Sequence, residues 1–253
     1  RPDFKPLYLT AMDERIRLLK NLGPSFVIPI KFDQKFSKLS ARQFIGLLQE
    51  RLRMKGLVIG PDFAMGHQRE GNAKVLSILG QDMGFFLRVV TPFSDKNGQS
   101  VSSTTIRESL MAGEVKRVEL QMGRSFALTG KVVKGAGRGK SLGFPTANIE
   151  PSQELAIPDD GIYATWANVS GQRYMAATSI GKRPTFGQNG HTIEAFILDY
   201  DRNLYDKHIR LEFVCRLREE RKFNSVDALK KQMDTDVTRT RILLENSVDI
   251  NKD

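Results

Sequence analysis

Cysteine is almost missing from this chain. Cys215 is the single one in 253 residues, which excludes an intramolecular disulfide; its place in the apolar alternating run 209–217 reads as a packed strand residue, not a nucleophile. Long apolar runs are missing too. None approaches the roughly 18 residues of a membrane helix, and no signal-like apolar region opens the chain, so we expect a soluble, cytoplasmic protein. Acidic residues are in deficit: 29 against 39 lysines and arginines, for a formal charge of +10 and a pI near 9.7. That balance raises nucleic-acid binding as a class. Against it, the cations are scattered through both halves, no block of like charges occurs, and no basic run is interleaved with stacking aromatics. A basic protein handling anionic small molecules would carry part of the same excess in its sites.

What is present falls into two textures, which favours two domains. From residue 10 to about 121, helix and strand alternate. Thr10 is placed to cap a helix carrying Ile16, Leu19 and Leu22, ended by Gly23 and Pro24. Residues 26–30 read as a short strand. Ser40 caps a second helix with Phe44, Leu47, Leu48 and Leu52 on one face, and Leu57, Val58 and Ile59 read as a buried strand. A helix over 73–79 and a strand over 85–90 follow. This is the alternation of a Rossmann-like α/β module, a parallel sheet with helices on both faces, whose ligands bind beyond the carboxyl ends of the strands. The segments 60–71 and 102–107 lie there. After Gly123, strands over 126–134, 162–169, 174–180, 192–200 and 209–217 predict a compact antiparallel β-barrel. A last helix closes it, capped by Ser225, with Asp227 in its first turn and Val226, Leu229, Met233 and Val237 as its apolar stripe.

The most informative stretch is residues 135–148, G-A-G-R-G-K-S-L-G-F-P-T-A-N. Gly135, Gly137, Gly139 and Gly143 permit positive φ and close backbone approach, so amide N–H groups can face phosphate oxygens while Arg138 and Lys140 add charge. Pro145 stiffens the exit. If 146–148 run extended, the Thr146 hydroxyl and the Asn148 amide oxygen share one side, as hard donors suited to Mg²⁺. The spacing is not G-x-x-x-x-G-K-[ST] and no helix-forming run follows, so a plain hairpin loop stays open as the other reading. In the strand 192–200 both faces are largely apolar, which makes Glu194 the odd residue: a barrel-end salt bridge or a catalytic carboxylate. Ser102, Ser103 and Thr104 open a helix with Arg107 one turn on, as an ordinary cap or as a phosphate site.

The run from 135 resembles the signature of riboflavin kinases, and the likeness continues through G-I-Y-A (161–164), S-I-G-K-R-P-T-F-G (179–187), E-A-F-I-L-D-Y (194–200) and L-R-E-E-R-K-F (217–223). The first half resembles the adenylyltransferase module that precedes the kinase in bacterial bifunctional riboflavin kinase/FAD synthetases, through L-V-I-G-P-D-F-A-M-G (57–66), R-E-G-N (69–72) and S-S-T-T-I-R-E-S-L (102–110). This resemblance implies an enzyme with an FMN adenylyltransferase module over 1–122 and a riboflavin kinase over 123–253. It implies that Glu194 is the base for the ribityl 5′-hydroxyl as it attacks the γ-phosphoryl group of ATP. Gly135, Lys140, Thr146, Asn148, Ile197, Asp199 and Tyr205 would hold ATP, with Thr146 and Asn148 also holding Mg²⁺. Arg218, Arg221 and Phe223 would cover the flavin. In the first module Asp62, Phe63, Ser103, Thr104 and Arg107 would serve nucleotide and flavin. Riboflavin, FMN and FAD are then substrates and products, the partners are small molecules, and neither a membrane nor a nucleic acid is expected.

One departure is large. The family's G-x-F-D-G-x-H-x-G-H segment is absent; His67 has no partner histidine just upstream and reads as a loop residue, while His191 and His208 belong to the second half. With Arg and not Met at residue 1, we expect the first module to be incomplete and this chain to form FAD poorly. The competing reading is a catalytically silent, basic nucleic-acid-binding or regulatory protein on the same fold. A flavin-storage module is the third.

Overall fold

The computed structural model describes residues 7–95, 98–135, 137–151, 155–182 and 191–249, the side chains of 182 and 247–249 excepted. In chain order the elements are α1 (Met12–Asn21), α2 (Ala41–Leu52), β1 (Gly56–Ile59), β2 (Ala64–Met65), β3 (Gly71–Asn72), α3 (Ala73–Met83), β4 (Phe86–Val89), α4 (Ser103–Met111), α5 (Val115–Met122), β5 (Phe126–Val133), α6 (Arg138–Leu142), β6 (Ala147–Pro151), β7 (Gly161–Val169), β8 (Gln172–Lys182), β9 (His191–Ile197), β10 (His208–Arg218) and α7 (Val226–Asp249). Residues 23–101 form one compact unit; those up to 22 and from 102 onward form the other. The second half of S-I-G-K-R-P-T-F-G, from 183, lies outside the described residues.

In the 23–101 unit the Ser40 cap forms as read, but the buried face of α2 is set by Ala41 and Ile45, while Leu47 and Leu52 of the expected face are exposed. The Ser40 hydroxyl accepts from Gln43 N and the Gln43 side chain accepts from Ser40 N, a reciprocal cap that fixes the start of α2. Asn72 caps α3 by accepting from Val75 N. β1 and β4 pair in parallel from Gly56 opposite Phe86 to Ile59 opposite Val89. Their inner face shares one core with both helices: Ala41, Ile45, Ile59, Leu76 and Leu79. Val58 and Phe86 on the other face are 59% and 62% exposed, so among the described residues helices cover one face, not the expected two. The strand expected over 26–30 does not form, and Phe26 is 84% exposed. A β-type pattern makes a strand only where a neighbour offers hydrogen bonds, and no described strand pairs there.

The other unit is built on a closed antiparallel barrel with the strand order β10-β5-β6-β9-β8-β7. All five strands read from the texture are present; β6 is a further one that begins inside 146–148. The interior holds Phe126, Leu128, Tyr163, Ile180, Ile209, Leu211 and Phe213, all buried. The buried hydroxyls of Thr165 and Thr178 satisfy one another at 2.7 Å. Ser225 caps α7 by accepting from Ala228 N, as predicted, and Leu244 of α7 packs on Ala164, Trp166 and Leu217. Thr10 is not the cap of α1. Ala11 holds that position without a side-chain bond, and the Thr10 hydroxyl accepts from Arg124. The expected domain boundary at 122/123 lies within this unit, where α5 packs on β10 and β5 and α4 packs on α5.

Glu14 joins α1 to the barrel. Its carboxylate accepts from Arg17 at 2.7 and 2.9 Å and pairs with Arg210 of β10 at 3.3 Å. The Arg17 hydrogen bonds chiefly, with help from the Arg210 and Arg124 charges and against partial burial, hold the Glu14 carboxyl below its ordinary range. A carboxyl depressed in the folded state adds stability above its unfolded pKa, and that stability is lost as pH falls through the folded pKa. Glu14→Gln is therefore expected to lower the unfolding free energy from urea titration at pH 7, by no more than about 1 kcal/mol for this partly solvated group. The gap between variant and parent is expected to close as pH falls below the ordinary carboxylate range and through the folded-state pKa. A gap independent of pH would contradict the ion-pair explanation.

Candidate active site

Glu194 stands on β9, whose Ile193, Ala195 and Ile197 are buried in the barrel while Thr192, Glu194 and Phe196 alternate outward, half-buried. The expectation of two apolar faces is corrected here. The outer face of β9 is the wall of a cavity of about 370 Å³, so the carboxylate opens on a site and is not enclosed in core. Thr146 Oγ1 donates to Glu194 Oε2 at 3.1 Å. In the β6–β9 register Asn148 lies opposite Glu194, and buried Ala147 and Ile149 flank it, which leaves Thr146 and Asn148 on the outer side together. Behind them sits Gly135. A Cβ there would lie 2.2 Å from Asn148 Nδ2 and 2.5 Å from its Oδ1, so this approach requires glycine.

The glycine-rich stretch is not an open loop. It winds into the single turn α6 between Gly137 (φ 69) and Gly143 (φ 89), both left-handed. Gly139 is needed for space, since its Cβ would meet Phe144 O at 2.3 Å. Arg138 and Gly139 face the first cavity, and Lys140 faces a second, also of about 370 Å³, with Val132, Ile197, Leu204 and Tyr205. Thr146 lines both and so marks their junction.

The far wall of the first cavity comes from α7 and the segment after β10. Leu229, Met233 and Val237 of the predicted stripe line it with Arg218, Arg221 and Phe223; Val226, its fourth member, is exposed and does not. Arg218 Nη2 meets Asp236 Oδ2 at 2.7 Å, and Arg218 Nε lies within 3.1 Å of both oxygens; the two side chains are 16% and 5% exposed. Gln232 donates to Asp236 at 2.8 Å and accepts from Arg221. Both guanidinium groups lie over the Phe223 ring, at 5.7 and 4.9 Å from its centroid. Sequence reasoning missed Asp236. Its signal was an aspartate on the same helical face as Met233 and Val237.

Two sets of expected residues behave differently. Asp199 lines neither cavity: it adopts φ 57 and its carboxylate pairs with Arg241 of α7 at 2.9 and 3.0 Å. The five residues expected in the first module are divided between the units. Asp62 and exposed Phe63 follow β1, whereas Ser103, Thr104 and Arg107 lie on α4 of the barrel unit. Ser102 is the cap of α4, accepting from Thr105 N, and Arg107 Nε donates to Leu7 O at 2.8 Å. His67 sits in an exposed turn with Nδ1 3.3 Å from Ser37 O.

Comparison with known proteins separates the readings. A riboflavin kinase family model matches residues 122–244 and an FAD synthetase family model matches residues 1–105. The bifunctional riboflavin kinase/FMN adenylyltransferase of Escherichia coli K12 is 34% identical over 241 residues, which are 94% of this chain and 76% of that protein. The chain belongs to this bifunctional family. The Bacillus subtilis riboflavin kinase/FMN adenylyltransferase is 31% identical over 232 residues, 90% of this chain and 72% of the relative. A crystal structure from Streptococcus pneumoniae, described as a macrolide-efflux protein, superposes with a TM-score of 0.81 at 30% identity, covering 93% of this chain and 76% of that one. No helix among the described residues is long and apolar enough to cross a membrane. The fold is that of the riboflavin kinase/FMN adenylyltransferase family, an FAD-synthetase module followed by a closed barrel with a C-terminal helix, and both cavities are lined by residues within the part that the riboflavin kinase model matches.

Proposed function

We propose that the barrel phosphorylates riboflavin to FMN with ATP, and that residues 1–122 form the module for adenylylation of FMN to FAD. The observation that carries this reading is the Thr146–Glu194 contact, because Thr146 stands where two cavities meet. Riboflavin occupies the cavity under α7, covered by Arg218, Arg221 and Phe223, with its ribityl chain toward Glu194. ATP enters the other cavity along Lys140, Ile197 and Tyr205, its γ-phosphoryl group toward Thr146. Glu194 accepts the 5′-hydroxyl proton as that oxygen bonds to phosphorus and ADP leaves. Lys140 balances charge on the phosphates. Both substrates are small cytoplasmic molecules, and we place the enzyme there. The nucleic-acid reading gains no support from these cavities or from the family.

Mg²⁺ fits the donors. A hydroxyl from Thr146 and an amide oxygen from Asn148 are hard ligands beside the Glu194 carboxylate, the sparse protein ligation that suits Mg²⁺ when substrate phosphates supply the rest. When bound, the ion neutralises charge on the transferring group. Asn148→Ala is expected to raise the Mg²⁺ concentration for half-maximal FMN formation by on the order of tenfold. Gly135→Ala, which pushes on the Asn148 amide, is expected to move it the same way. An unchanged Mg²⁺ titration in both variants would remove Asn148 from the metal site.

A further inference from the structure

By the family resemblance α4 carries residues for adenylyl transfer, yet it lies in the barrel unit: it packs on α5, which packs on β10 and β5, and further bonds tie it to the barrel. Its Ile106, Ser109 and Leu110 are buried within the barrel unit. Leu110 O, at its C-terminal end, accepts from Asp159 N at 3.2 Å, in the segment that enters β7. Arg216 of β10 donates through Nη2 to Asp159 Oδ2 at 3.0 Å and to Asp160 O at 2.5 Å. The same guanidinium lies on Gly113 in the turn from α4 to α5: a Cβ there would be 2.9 Å from Arg216 Nη1 and 3.0 Å from Cδ. The other attachment leads back to the same place. Arg107 binds Leu7 O, and the neighbouring Tyr8 O accepts from Ala156 N at 2.8 Å. The barrel segment 155–160 thus anchors the middle of α4 through residues 7–8 and its end through Asp159.

We propose that Arg216 and Asp159 are positioning residues for α4, so that the kinase barrel orients the helix whose Ser103, Thr104 and Arg107 serve the nucleotide in FMN adenylylation. The inference rests on the proposal that residues 1–122 form the adenylylation module, in which the family resemblance has Ser103, Thr104 and Arg107 serve the nucleotide. Arg216 lines neither kinase cavity. Its loss therefore frees α4 without touching riboflavin phosphorylation.

The test compares the full chain with its Arg216→Ala and Arg216→Lys variants by amide hydrogen exchange, alongside both reactions. In Arg216→Ala, amides of residues 106–113 are expected to exchange about tenfold faster, with β8 and β9 unchanged. Arg216→Lys, which keeps the charge and loses the fork, is expected to lie between. FMN phosphorylation kinetics stay as in the parent, while KM for ATP in FAD formation rises. Unchanged exchange in α4, or faster exchange spread evenly over the barrel, would overturn the proposal, and this readout decides it even where FAD formation is slow. Ser103→Ala and Thr104→Ala, which remove none of the attachments named above, separate the two layers. If they leave FAD formation intact while Arg216→Ala still loosens α4, the nucleotide reading of the helix fails and its anchoring by the barrel stands.

Discussion

Glu194→Gln lowers kcat for riboflavin phosphorylation by about 10²–10⁴, the range for loss of a general base. Glutamine keeps the length of the side chain, and its amide oxygen can still accept from Thr146 Oγ1, which donates at 3.1 Å in the parent. What it cannot do is take the 5′-hydroxyl proton. Because Ile193, Ala195 and Ile197 hold β9 from inside the barrel, the exchange leaves the strand and the walls of both cavities in place. The loss therefore falls on kcat, with KM for ATP close to that of the parent. Steady-state ADP release measures both. Turnover within a few-fold of the parent would show that Glu194 is not the base.

Asp236→Ala is expected to cost about 3–5 kcal/mol of stability, the range for removing one partner of a buried ion pair. Arg218 and Asp236 are joined by Nη2 and Nε on largely buried side chains, so the truncated variant leaves a guanidinium without its carboxylate in the seam between α7 and the barrel. Gln232, which donates to the same carboxylate, loses that bond too. Arg218 and Arg221 then no longer frame Phe223, and KM for riboflavin rises. Urea unfolding followed by the fluorescence of Trp166, which packs with Leu244 of α7, reads the seam directly. In Asp236→Ala/Arg218→Met the stranded charge is gone, and much of the stability is expected to return. A double variant no more stable than Asp236→Ala would mean that packing, not the ion pair, sets the cost.

These two residues also show what a sequence can reveal. Glu194 was visible as a carboxylate in an apolar strand, but its environment was misread, because period-2 alternation cannot tell a core face from a face that lines a cavity. Asp236 hid inside a helical stripe of whose apolar members Leu229, Met233 and Val237 line the cavity and Val226 does not. Its meaning depends on Arg218, reached only through the folded barrel. Short-range signals carried over well: Ser40, Ser102 and Ser225 each accept from a backbone N–H three residues on, as capping side chains do. The strands of the barrel followed from alternation and turns. Longer-range facts did not. The 26–30 run has β-type residues and no partner, Asp199 turns to Arg241, and α4 belongs by sequence likeness to one module and by packing to the other unit. The turn α6 was hidden by its glycines, which lower helix propensity while supplying the left-handed ends that bound it.

The most direct test is to incubate the purified chain with riboflavin and MgATP and to resolve riboflavin, FMN and FAD by chromatography with fluorescence detection, beside Glu194→Gln. FMN appearing with ADP in equal amounts, and falling by about 10²-fold or more in the variant, is the expected result. No FMN from the parent chain at any Mg²⁺ concentration, with oxidised or reduced flavin, would contradict a riboflavin kinase site at Glu194.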